Sequence, residues 1–165
     1  MPTLTKSANT NSDSPNSYSA SQSHFKITEI SYSAPPLGYF GITNLLKKID
    51  VKLDELLQYE KDWDGEDALP LSRHVANQVK QLLNKASNKI IGRGRASEWS
   101  NPRVALLPNG GLDLEWEVNN RRLIFFMYPS NKVEYLRKIK RAKIDDGLVE
   151  NFDEAVGLIL WVHSV

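Results

Sequence analysis

The chain contains no cysteine, which excludes disulfide frameworks, thiolate zinc sites, iron–sulfur clusters and cysteine nucleophiles together. It has no excess charge of either sign: 21 Lys and Arg oppose 20 Asp and Glu, for a net +1. That leaves no global electrostatic argument for nucleic acid or a membrane surface as partner. No run approaches the roughly eighteen apolar residues of a spanning helix. The first residues lack the segments of a secretory signal, so the expected location is cytoplasmic. The three histidines, His24, His74 and His163, share no metal-ligand spacing. Gly-x-Ser-x-Gly, dinucleotide and P-loop signatures are missing as well. The expectation is a chain that is not an enzyme, with no catalytic residue, no cofactor and no metal.

What is there fits one soluble domain. The 165 residues are 41% hydrophobic and 25% charged, and a chain of this length can bury roughly 70% of its unfolded surface. Residues 1–24 are dominated by Ser, Asn and Thr. They hold too little apolar surface to offset ordering entropy, so a disordered tail is expected. Residues 25–43 are read as an extended arm or short strand, because Phe25 to Tyr32 alternates loosely and Pro35-Pro36-Leu37-Gly38 stops regular structure.

Residues 44–165 are read as a single α+β domain. A first helix, capped by Asn44, carries Leu46, Ile49, Leu53 and Leu56 on one stripe. A second follows Pro70 with Ser72 as N-cap and Val75, Val79, Leu82 and Ala86 inward. Four strands are expected at 103–107, 112–118, 121–128 and 133–137. Asn109-Gly110 and Asn119-Asn120 mark hairpin turns, since Asn tolerates positive φ. A three-residue loop after Tyr128 puts Val133 and Tyr135 on the core face and is preferred; a two-residue loop puts Glu134 there. Asn151 and Glu154 have capping-box spacing ahead of a last helix at 152–163. The fold class is therefore two N-terminal helices, a four-stranded antiparallel β-meander and a C-terminal helix.

The densest local signal is the loop from Trp63 to Pro70. Its structural reading assigns Gly65 to a left-handed turn, Asp64 to its own backbone, Pro70 to the helix stop and Trp63 to the core. Its chemical reading is an acidic site of Glu60, Asp62, Asp64, Glu66 and Asp67. A calcium loop counted from Asp62 fails, because Asp67 and Arg73 stand where Gly and Glu are needed. The structural reading is preferred over a magnesium site. This loop, with Gly110-Gly111-Leu112-Asp113-Leu114-Glu115-Trp116, resembles a group of small uncharacterised bacterial proteins. They carry Trp-Asp-Gly-x-x-Ala-x-Pro between two helices, then Gly-Gly-aliphatic-x-Leu-Glu-Trp on a later strand. The resemblance spans roughly residues 45–136 and implies no activity, cofactor or catalytic residue.

A two-residue turn at Asn119-Asn120 pairs Val118 with Arg121, Trp116 with Leu123 and Leu114 with Phe125, which defines a core face. The opposite face then carries Asp113, Glu115 and Glu117 beside Ile124, Phe126 and Tyr128. This mixture fits either a helix covering the third strand or a protein-binding surface of aromatics ringed by acids.

The neutral total also hides a separation. Residues 44–70 carry 4 basic and 8 acidic side chains, net −4, whereas 71–105 carry 7 basic and 1 acidic, net +6. Lys89, Arg93 and Arg95 in the basic segment 85–95, with Arg137, Lys138, Lys140 and Arg141 in 137–143, form the alternative, a phosphate-binding patch. The expected function is a non-catalytic protein-interaction module, antitoxin-, immunity- or inhibitor-like. The expected partner is another protein, with nucleic acid as the alternative, a second copy of the chain as a further option, and no membrane.

Overall fold

A computed structural model of the chain describes residues 37–140 and 142–164; the expectations for the 1–24 tail and for Phe25 to Tyr32 lie outside the described residues. Helix α1 (Leu37–Leu56) is followed by α2 (Arg73–Gly92) and a short 3₁₀ turn (Ala96–Glu98). Five strands come next: β1 (Arg103–Leu106), β2 (Leu112–Val118), β3 (Arg121–Met127), β4 (Val133–Ile139) and β5 (Ala142–Leu148). Helix α3 (Phe152–Val162) closes the chain. All neighbouring strands are antiparallel and the sheet order equals the chain order. The class is α+β, and no described helix is long and apolar enough to cross a membrane.

Two boundaries correct the expectations. Helix α1 begins at Leu37, not after Asn44, so residues 37–43 are helical and not part of an arm. Ile42 lies seven residues before Ile49 and continues the same stripe inward at 2% exposure. Pro35 and Pro36 come just before Leu37 in the sequence, and the helix follows them directly. The sheet has five strands, not four. Strand β4 runs on to Ile139, Lys140 turns the chain at φ 55°, and its N–H reaches the Asn120 carbonyl at 2.6 Å. Strand β5 hides in the sequence because it mixes Lys143, Asp145, Asp146 and Gly147, and a bulge at Ile144 breaks its alternation.

The β2–β3 register is the one the Asn119-Asn120 turn dictates, with both asparagines at positive φ. The three-residue loop sets β4, so Phe125 faces Tyr135 and Met127 faces Val133. Leu112, Leu114, Trp116, Leu123, Phe125 and Met127 thus form the sheet side of one core. Val75, Val79, Leu82 and Ala86 of α2 and Val156 and Ile159 of α3 close it from the other side. Each fully buried large side chain contributes roughly 1.5–3 kcal/mol. At α3, Asn151 Oδ1 accepts the Glu154 N–H at 3.0 Å. The returning Glu154 carboxylate takes the Glu150 N–H, one residue earlier than in a capping box.

The Trp63 loop ties the helices to the sheet. Asp64 Oδ1 accepts the N–H groups of Glu66 and Ala68, Asp62 Oδ1 accepts that of Asp67, and Gly65 sits at φ 78°. Trp63 does not enter the core as expected. It stays half-buried beside Tyr59 and donates its indole N–H to the Leu69 carbonyl at 3.1 Å, stapling its own loop. The Leu69 N–H then reaches the Pro108 carbonyl and the Ser72 N–H reaches that of Gly110. A side chain at Gly110, itself at φ +77°, would come within 2.6 Å of the Pro70 carbonyl. The two motif segments are therefore in direct contact, and glycine at 110 is the condition for it.

Candidate functional site

Register alone builds the face opposite the core. One row across the strands reads Arg103, Glu115, Ile124, Leu136 and Asp146; the next reads Ala105, Asp113, Phe126, Glu134 and Leu148. A third carries Glu117, Arg122, Lys138 and Lys143. The helices bury their apolar residues with the other face of the sheet, and Ile124 is buried outside that core cluster. Phe126, Leu136 and Leu148 line an open trough of about 700 Å³, with Glu134, Lys138 and Asp146 among its charged walls.

Glu115 is the electrostatic centre of the face. Its side chain is only 10% exposed, its Oε1 lies 2.5 Å from Arg122 Nε, and Arg103 holds Oε2. Burial opposes its charge more than any other single influence, yet the two guanidinium groups together keep its carboxyl below the ordinary value. Arg122 thus serves Glu115 and not its direct cross-strand neighbour Glu117, which stays exposed. Asp113 makes no ion pair with either guanidinium, and their charges only partly offset its burial. One of its oxygens is buried with no partner, and burial, reinforced by the Glu115 charge, pushes its carboxyl up.

At the far end, Tyr128 donates its hydroxyl to Glu134 Oε2 at 2.9 Å, and Lys132 lies 2.5 Å from the other oxygen. Burial and then the Glu134 hydrogen bond push the Tyr128 hydroxyl up. Lys143 pairs with Asp146. Lys138, the third lysine of the trough, has no ion-pair partner among the described residues.

Asp113, Glu115, Ile124 and Phe126 thus adjoin one another, with Tyr128 at one end and Glu117 at the other. Sequence reasoning placed Glu134, Leu136, Asp146 and Leu148 in no site, and gave Lys138 to the phosphate-binding alternative. The β4 residues were reachable in principle, since a three-residue loop puts every even-numbered position of 134–138 on this face. Those of β5 were not, because the strand itself went unread.

The basic positions do not assemble as one patch. Arg137 points to the core side, pairs with Asp145 and lies 5.0 Å from the Trp161 ring centre, while Lys138 alternates to the open face. Arg95 pairs with Glu98 and donates to the His163 carbonyl at 2.9 Å. Lys89 approaches Asp153 at 3.5 Å. Arg93 is exposed just beyond α2, Lys140 sits in the β4–β5 turn, and Arg141 lies outside the described residues. In the Trp63 loop, Asp62 and Asp64 already spend oxygens on backbone amides. Comparison with known proteins adds no homologue. No family model, curated protein or solved structure matches this chain.

One buried titratable group lies on the helix side. His163 is 2% exposed and stacks on Trp99 at 5.4 Å. Its Nδ1 is 2.8 Å from the Ile159 carbonyl, which can only accept, so Nδ1 carries the proton. Nε2 then accepts the Ser100 N–H at 3.2 Å. Burial lowers the pKa of this imidazole and outweighs the Ile159 and Ser100 hydrogen bonds and the Glu98 charge, which raise it. With the folded value depressed, the unfolded chain binds the extra proton as pH falls below about 6.5, and stability drops by up to about 1.4 kcal/mol per pH unit until the folded value is reached. Urea melts at pH 7.5 and 5.5 should show a larger loss for wild type than for His163→Gln. Equal losses would exclude His163 as the source.

Proposed function

We propose that the chain is a non-catalytic protein-interaction module whose binding surface is the open face of its sheet. The observation that supports this most is the one-sided packing. The helices share their core with one face, while the other keeps an apolar trough with charged walls. Aromatic and aliphatic groups supply desolvation energy in such a surface, and the charged rim sets orientation. Lys132 and Lys143 are neutralised within the face, so Lys138 is left to meet a carboxylate brought by the partner. The partner is thus a protein segment offering apolar side chains with an acidic residue beside them. A small module with one such face suits an inhibitor-, immunity- or antitoxin-type role, in which it sits on another protein's working surface.

Affinity capture from source cells with wild type, Phe126→Asp/Leu148→Asp and Lys138→Glu tests this reading. A specific protein should be held by wild type and lost from both variants, with an unchanged melting temperature for Lys138→Glu. Equal recovery of that protein by folded variants would overturn the assignment of the surface.

A further inference from the structure

Away from the open face, a small pocket of about 130 Å³ lies between α2, the β3–β4 turn and the segment leading into α3. Its apolar walls include Leu82, Met127, Val133, Phe152 and Ala155. Leu82 and Met127 are each 1% exposed and Ala155 is 4% exposed. Gln78 and three exposed residues, Asn131, Glu150 and Asn151, complete the wall. A cavity of about 150 Å³ is large enough for a benzene ring.

One polar group in the wall is unsatisfied. Gln78 Nε2 donates to Asn131 Oδ1 at 3.4 Å, and the His74 ring contacts the same oxygen. Gln78 Oε1 is buried with no partner. Exchanging oxygen and nitrogen in both amides keeps the Gln78–Asn131 bond, but it only turns an orphan acceptor into an orphan donor. Asn151 Oδ1, nearby, is already taken by the Glu154 N–H. A buried amide atom left unpaired costs roughly 1–3 kcal/mol, so the site has a reason to be filled. Water needs two to four polar partners and would leave the six apolar wall residues without contacts, so a ligand with an apolar body fills the site better.

We propose that this pocket binds a small neutral ligand: a ring or branched alkyl body of about benzene size, bearing one hydroxyl group. The apolar body matches the walls. A hydroxyl both donates and accepts, so it satisfies Gln78 in either amide orientation. Neutrality follows from the inner wall: the one charged lining residue, Glu150, is exposed, so a charged ligand would lose its hydration without a buried counter-charge. The ligand is distinct from the partner of the open face, and the two sites share no wall residue.

Phenol and toluene, nearly isosteric and differing in the hydroxyl, are the probes for the full chain. Titration followed by chemical-shift changes and melting temperature should show phenol binding wild type at least tenfold more tightly than toluene. Gln78→Leu should erase that preference, and Ala155→Leu should abolish binding of both. If Ala155→Leu fails to fold, the Gln78→Leu comparison still decides. Absence of phenol binding to wild type would overturn the proposal. So would equal affinities for the two probes, or a phenol preference that survives in Gln78→Leu.

Discussion

Gly111→Ala should destabilise the fold by about 3 kcal/mol, read as a fall in the urea midpoint with an unchanged slope. A Cβ at this position would stand 2.4 Å from the Met127 carbonyl oxygen and 3.0 Å from Asn109 Oδ1. Backbone atoms cannot rotate away as a side chain can. Gly111 also immediately precedes β2, where Leu112 pairs with Met127, so relief requires parting β2 from β3 at the start of their ladder. The control is Gly157→Ala. That glycine is exposed within α3 and its added Cβ would meet nothing within 4 Å. Alanine there should stabilise by roughly 0.5–1 kcal/mol through helix propensity alone. Similar midpoints for the two variants would refute the close approach at Gly111.

Trp116→Ala should cost about 3–5 kcal/mol, a large part of the 5–15 kcal/mol that roughly spans the stability of whole domains. The ring is 1% exposed and meets Phe125 edge-on at 5.8 Å. Its indole N–H donates to the Ser100 carbonyl at 3.2 Å, joining β2 to the segment between the 3₁₀ turn and β1. Truncation therefore leaves a cavity and deprives that carbonyl of its donor. Trp116→Phe keeps a ring and loses the donor with part of the volume, so its cost should fall near 1–2 kcal/mol. Denaturant melts of the three proteins should rank wild type, Phe, Ala. A Trp116→Ala variant within 1 kcal/mol of wild type would contradict the packing of this ring.

Local rules with strong stereochemistry made much of the sheet legible. The Asn119-Asn120 turn sets the pairing of Trp116 with Leu123 and of Asp113 with Phe126, because both residues tolerate positive φ and the side-chain period is two. The Asn151 cap of α3 was equally legible. Illegibility began where one residue type serves two purposes. Proline ends a helix or begins one, so Pro35-Pro36 concealed the first two turns of α1. Ile144 bulges from β5 at 46% exposure, so the period that identifies a strand is interrupted inside it. At the site, alternation sorted β2 and β3 into a core face, on which the helices pack, and an opposite face, but no local pattern says whether a helix also covers that second face. Arg95 and Arg137 looked like a basic surface because sequence shows charge and not the carboxylate that meets it. Each is matched by an acid from its own neighbourhood, Glu98 and Asp145.

The contact between the Trp63 loop and the β1–β2 hairpin bears on the order of assembly. Every pairing in the meander joins consecutive strands, so it can form at small sequence separation and early. The docking of Leu69 and Ser72 on Pro108 and Gly110 must instead close a stretch that contains all of α2. Its loop-closure entropy is recovered only once α2 lies on the sheet. The seam between the two motif segments is therefore expected to form on the late side of the folding barrier, as a latch. Weakening it should speed the opening of the finished domain more than it slows the domain's formation, which unfolding and refolding rates of a Gly110→Ala variant would check.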